Sequence, residues 1–203
     1  MTKEEKTKNG LFSFLNWVDS TFFRWIVKIV YPQYKRPRAG YMKHYKVLYD
    51  YIFMQKIMGF NRMVPWPVDF RSKVRGWRCI QKGIMCDPGD SPGVYINAFG
   101  GLKLGDNVAI APNVTIVTTN HNKYDQRKTS PIKGVEIGNN VWIGANSVIL
   151  PGSKIGDEVT IGAGCVISGE IPSKSTVTRG DGVIKIIPKT KNYEWDIYQE
   201  KLT

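Results

Sequence analysis

Six isoleucines recur at intervals of six residues: Ile137, Ile143, Ile149, Ile155, Ile161 and Ile167. Four are followed by glycine (Gly138, Gly144, Gly156, Gly162). The fifth place of each unit holds a small or β-branched residue: Val141, Ser147, Ser153, Val159, Cys165 and Ile171. A helix repeats its side-chain face every 3.6 residues and a strand every two. A fixed phase of six fits neither and predicts a parallel β-helix, in which one large aliphatic side chain per unit points inward and like residues stack on like. Neighbouring coils then lie about 4.8 Å apart, the strand-pairing distance. Each coil buries its apolar side only against the next, so the array is stable where a single unit is not.

The same phase runs upstream through units opening at Leu104, Ile110 and Ile116. The next unit falls due at residue 122, yet the pattern resumes at Ile137, fifteen residues late. The inserted stretch is polar and includes Asn120-His121-Asn122-Lys123-Tyr124-Asp125-Gln126-Arg127. Loops thrown out of a strict repeat are where such architectures carry function. His121 is the only histidine of the repeat region, and it stands where the insertion begins.

Charge divides the chain. Its net charge of +12 is concentrated in residues 1–80, where 16 Lys/Arg face 5 Asp/Glu; residues 81–203 are nearly balanced, with 13 against 12. Such a basic half suits an anionic membrane surface or a phosphorylated ligand. No nucleic-acid motif accompanies it, so nucleic acid is not an expected partner. Cys79, Cys86 and Cys165 have no metal-ligand spacing and read as reduced thiols of a cytoplasmic protein, with Cys165 filling a small-residue slot of the repeat.

The chain divides into three regions. Residues 1–67 form a basic, aromatic-rich helical extension, residues 68–178 the β-helix with its inserted loop at 118–136, and residues 179–203 a C-terminal strand and short cap. In the extension, Leu11, Leu15, Val18, Phe22, Trp25 and Ile29 recur at steps of three and four, one face of a first helix. That face packs on protein or lies in a membrane interface, residues 11–43 then meeting the bilayer at the cytoplasmic side. Asp19, Arg24 and Lys28 interrupt the apolar run and argue against a membrane span. Tyr41–Met58 reads as a second helix stopped by Gly59, with His44 on its surface. Val68, Val74, Ile80 and Ile84 keep part of the six-phase, and Ile184–Ile187 read as a closing strand.

The segments LGDNVAIAPNVTI (Leu104–Ile116), TNH (Thr119–His121), IGNNVWIGANSVILPG (Ile137–Gly152) and IGDEVTIGAGCVI (Ile155–Ile167) resemble the hexapeptide-repeat acyltransferases, in particular sugar O-acetyltransferases of the maltose and galactoside type. The resemblance spans about half the chain and excludes residues 1–70. It implies a left-handed β-helix, homotrimers with active sites between subunits, acetyl-CoA as co-substrate and a saccharide acceptor. It implies His121 as the catalytic general base, and Asn97, Tyr124 and Asp125 as acceptor-binding residues. Ala145 and Ala163 match the family's acetyl-CoA positions, and their separation of eighteen residues stacks one above the other on a three-sided coil. Where many relatives carry a basic residue near the CoA phosphates, this chain has Gly180-Asp181-Gly182-Val183-Ile184-Lys185. Arg179 or Lys185 would take that role, against the opposing charge of Asp181.

The expected activity is therefore acetyl transfer to a sugar hydroxyl of a saccharide, a polysaccharide precursor or a lipid-linked precursor. Alternatives are an amino-sugar N-acetyltransferase and a non-catalytic β-helix scaffold. No metal site is expected: the carbonic anhydrases built on this coil take three histidines, and this chain has His44 and His121 alone.

Overall fold

The structure, a computed structural model, describes residues 12–36, 42–122, 129, 133–180, 183–188 and 190. A left-handed β-helix of three flat faces forms its body. One face stacks β1 (Lys73–Arg75), β3 (Tyr95–Asn97), β6 (Thr115–Val117), β9 (Val148–Ile149) and β12 (Val166–Ile167). A second stacks β2 (Ile80–Lys82), β4 (Leu102–Leu104), β7 (Val135–Ile137), β10 (Lys154–Ile155) and β13 (Glu170–Ile171). The third holds β5 (Val108–Ile110), β8 (Val141–Ile143), β11 (Thr160–Ile161), β14 (Ser175–Gly180) and β15 (Val183–Pro188). We call them the first, second and third faces.

Pairing obeys the repeat. Ile137 lies beside Ile155, Ile143 beside Ile161 and Ile149 beside Ile167. Below them Leu104, Ile110 and Ile116 pair with Ile137, Ile143 and Ile149, so the fifteen extra residues leave the ladder without disturbing its phase. All these side chains are buried in one continuous core, which Cys165 joins. Burying each isoleucine stabilises the stack by roughly 1.5–3 kcal/mol.

Corners hold the coils together with polar side chains. Between the second and third faces, Ile84 N–H donates to Asp106 Oδ1, Asp106 N–H to Asn139 Oδ1 at 2.8 Å, and Asp157 N–H to Ser173 Oγ at 2.9 Å. Asn107 and Asn140 then turn the chain in the left-handed region, φ 53° and 54°, which asparagine tolerates better than most residues. The six-phase therefore specifies both the inward isoleucine and the turn.

The first coil departs from this pattern. Val74 and Ile80 are buried as expected, but Ile84 lies outside the core. The chain from Gly83 to Val94 makes no strand on the third face, and Cys86 and Asp87 are buried there instead. Asp87 accepts from Arg36 Nη2 at 3.0 Å and Lys82 Nζ at 3.1 Å, tying the extension to the coil. Burial pushes the Cys86 thiol well above its usual range.

The extension is a pair of helices with its own small core of Val27, Tyr31, Val47 and Leu48. Helix α1 covers residues 12–30 and contains a wide π turn at Asp19–Phe23 before a regular stretch at Arg24–Val30. Helix α2 begins at His44–Val47 and continues as a π-type helix over Leu48–Ile57, ended by Gly59 at φ 94°. Gln55 fastens it to the coil: its buried amide donates to Trp66 O at 2.9 Å and accepts from Val68 N–H at 3.0 Å.

One expectation is corrected in the extension. Leu15, Phe22, Trp25 and Ile29 share an outward face, as one helix face should, while a second stripe of Phe23, Ile26, Val27 and Val30 packs inward on the small core. His44 is buried rather than superficial, because Asp19 accepts from its backbone N–H.

At the far end, β14 pairs in parallel with β11 and antiparallel with β15, the anticipated closing strand. The expected cap beyond Thr190 lies outside the described residues.

Candidate active site

The inserted loop leaves the corner between the first and second faces and returns there at Lys133 and Gly134. Its root is clamped to the coil beneath. Buried Thr118 donates its N–H to Asn97 O at 3.0 Å and its hydroxyl to the same oxygen at 2.9 Å, and accepts from Gly100 N–H at 2.8 Å. Three residues on, exposed His121 makes an isolated antiparallel bridge with Thr129. Tyr124 and Asp125 lie outside the described residues.

Asn97 ends β3 directly beneath Val117, at the same corner as the loop root. Half-buried, it is one coil from the strand that delivers His121. Phe99, two residues further, is 56% exposed, and the Arg75 guanidinium lies 5.7 Å from its ring centre. Sequence reasoning passed over this aromatic platform. Its signal was a large ring before Gly100-Gly101, a place where the repeat calls for a small residue. Beside the loop's return, a cleft of about 240 Å³ is bordered by Gly101, Lys103, Gly134 and Glu136. A larger cleft of about 670 Å³ runs along the second face past Lys154 and Asp157, away from the sequence-predicted site residues.

Ala145 and Ala163 stand at another corner, between the third and first faces. Gly164 N–H donates to Ala145 O at 2.8 Å, so the two alanines stack on successive coils. A Cβ on Gly144 would lie 2.6 Å from Ala163 N, so only glycine lets the two coils approach this closely here. Ile161 pairs with Val177, and β14 continues past that corner to exposed Arg179, which pairs with Ile184 across the hairpin. Arg179 is near enough to oppose the upward push that burial gives the Cys165 thiol. Lys185 sits across the hairpin from Thr178, exposed. Ala145 and Ala163 thus share one column, with Arg179 and Lys185 on the two strands of the hairpin that follows.

The structure brings His121 and Asn97 to one corner and the alanine column to another. From Asn113 to Thr118 the chain spans about 16 Å at ~3.3 Å per residue. One chain therefore holds the histidine and the alanine column on opposite edges of its first face.

Residues 134–169 match the family described as bacterial transferase hexapeptide (six repeats). The chain is 49% identical over 54 residues to galactoside O-acetyltransferase of Escherichia coli K12, 25% of this chain and 27% of that protein. Among solved structures, a maltose O-acetyltransferase from Clostridium difficile is similar at 30% identity and TM-score 0.49, over 59% of this chain and 65% of that one. Galactoside acetyltransferase in complex with coenzyme A aligns at 27% identity and TM-score 0.47, over 62% and 68%. The matched stretch thus spans about a quarter of the curated relative and just under two thirds of the maltose enzyme. The chain carries the hexapeptide-transferase repeat and resembles acetyltransferases of the maltose and galactoside type.

Proposed function

We propose that this protein is an acetyl-CoA-dependent O-acetyltransferase acting on a sugar hydroxyl, with His121 as general base. The observation that carries the reading is the coincidence of a transferase repeat with a loop, inserted into one rung, that starts at the repeat region's only histidine. The thioester is already activated, so the reaction asks mainly for proton removal from the acceptor. As the hydroxyl oxygen attacks the thioester carbonyl, the imidazole of His121 takes its proton, a contribution of roughly 10²–10⁴-fold. A main-chain N–H near Ala145 steadies the oxyanion of the tetrahedral intermediate. Collapse breaks the carbon–sulfur bond, and the departing thiolate recovers the proton from the imidazolium.

Asn97 orients the acceptor, with Phe99 offering the flat apolar surface on which a sugar ring stacks. Tyr124 and Asp125 complete the acceptor pocket. Arg179 and Lys185 meet the CoA phosphates by charge attraction. Because the histidine and alanine corners are on opposite edges of a face, the working site pairs His121 of one copy with the alanine column of a second, as in a homotrimer. Free Cys79, Cys86 and Cys165 fit a reducing compartment, so the cytoplasm is the proposed location.

The test is thiol release from acetyl-CoA in the presence of a saccharide panel that includes amino sugars. Turnover with hydroxyl acceptors supports the reading. Turnover with amino sugars alone redirects it to N-acetylation, and no turnover with either class contradicts it.

A further inference from the structure

The extension's outward side is more apolar than a soluble surface requires. Phe12, Phe14, Trp17, Phe22 and Trp25 of α1 are each between 57% and 63% exposed. At roughly 200 Å² per aromatic side chain, these five alone leave on the order of 600 Å² of apolar surface in water, at or above the largest patch a typical monomer shows. The patch continues onto α2: Phe22 meets Phe23 edge-on at 5.5 Å, and Phe23 meets Tyr45 at 6.2 Å. From Tyr45 the exposed series runs through Tyr49, Phe53 and Ile57 at steps of four.

Charge identifies what covers it. Lys28, Lys35, Lys43 and Lys46 are exposed on or beside the same two helices, and Lys43 Nζ lies 5.2 Å from the Phe12 ring centre. On the same two helices the acidic groups are few: Asp19 is buried against His44, and Asp50 is paired with Lys46 at 2.9 Å. Two copies meeting through this face would bring like charges together. An anionic headgroup layer accepts both features, with rings at the acyl boundary and ammonium groups among the phosphates. No described helix is long and apolar enough to cross a membrane, so the contact lies along the interface.

We propose that the outward faces of α1 and α2 seat this protein on an anionic lipid bilayer. Gln55, Arg36 and the Lys35 carbonyl, which accepts from Met85 N–H at 2.7 Å, fix the helices to the first coil, so the face is presented rigidly. The inference goes beyond the acetyltransferase reading and uses none of its chemistry.

The experiment is co-sedimentation of the full chain with vesicles of phosphatidylcholine, alone or with roughly one-third phosphatidylglycerol. The wild type should pellet with the anionic vesicles and be largely released at 1 M salt, where the Debye length falls to about 3 Å. The double variants Trp17→Ser with Trp25→Ser, and Lys28→Glu with Lys43→Glu, should each weaken binding at least about tenfold while keeping the wild-type melting profile and acetyl transfer in solution. Failure of the wild type to pellet with anionic vesicles overturns the proposal, as does binding unchanged in both variants. A smaller sedimenting species for the tryptophan variant without vesicles would also overturn it, by showing a second copy on this face. A protein inactive in thiol release but bound to vesicles would contradict only the acetyltransferase reading.

Discussion

Asp19 and His44 are joined twice in a buried contact between the two helices of the extension. The carboxylate Oδ2 lies 3.2 Å from His44 Nδ1 and accepts the His44 backbone N–H at 3.2 Å, while Oδ1 accepts from Tyr45 N–H at 2.9 Å. Helix α2 has Lys43 at its N-cap, which supplies no side-chain cap of its own. Asp19 therefore caps α2 from another helix, satisfying donors that a helix start leaves open.

Replacing Asp19 by alanine should destabilise the helical pair by about 1–2 kcal/mol, the usual worth of such a cap. Hydrogen exchange at His44 and Tyr45 should accelerate while the amides of β8 and β11 keep their protection. Equal acceleration in both regions would mean that Asp19 supports the fold as a whole.

A second prediction concerns pH. Asp90 accepts from Arg36 Nη2 at 3.2 Å, yet burial and the neighbouring Asp87 push its carboxyl up to about 7. Solvent reaches part of the side chain, but the attraction of Arg36 does not offset those two effects. In the unfolded chain the group titrates near 3.8. Between those values the folded state holds the extra proton, so this group costs stability progressively as pH rises from about 4 to 7. Asp90→Asn should melt close to wild type near pH 4 and higher than wild type at pH 8. A pH-independent difference would contradict this account of Asp90.

Two glycines of the alanine corner should respond differently to the same change. A Cβ on Gly144 would meet backbone at 2.6 Å, whereas one on Gly162 would find its nearest neighbour, Val177 O, at 3.1 Å. Gly144→Ala should cost about 1–3 kcal/mol, as overpacking does where the backbone cannot retreat, and Gly162→Ala clearly less. Thermal unfolding of the pair checks it; equal losses would show that the coils separate freely at this corner.

Most of the coil stack was legible because its cause is periodic. Isoleucine every six residues states both the inward face and the rung, and the late return at Ile137 places the insertion between β6 and β7. The phase marks where His121 stands and why Ala145 and Ala163 stack, but their roles are what the resemblance implies. The helices were legible only in outline, because the inward stripe of Phe23, Ile26, Val27 and Val30 and the buried Asp19 are selected by the partner helix. Phe99 escaped notice because it lies in a corner, where exposure depends on how two coils pack. Arg36 and Asp87, 51 residues apart, meet only once the first coil replaces a strand with the loop from Gly83 to Val94.

The most direct measurement is the acetyl-transfer rate of His121→Ala on the best acceptor from the saccharide panel. With His121 as general base, kcat should fall by roughly 10²–10⁴-fold, while the KM for acetyl-CoA and the sedimenting mass stay at wild-type values. A variant that turns over at close to the wild-type rate would contradict the proposed mechanism.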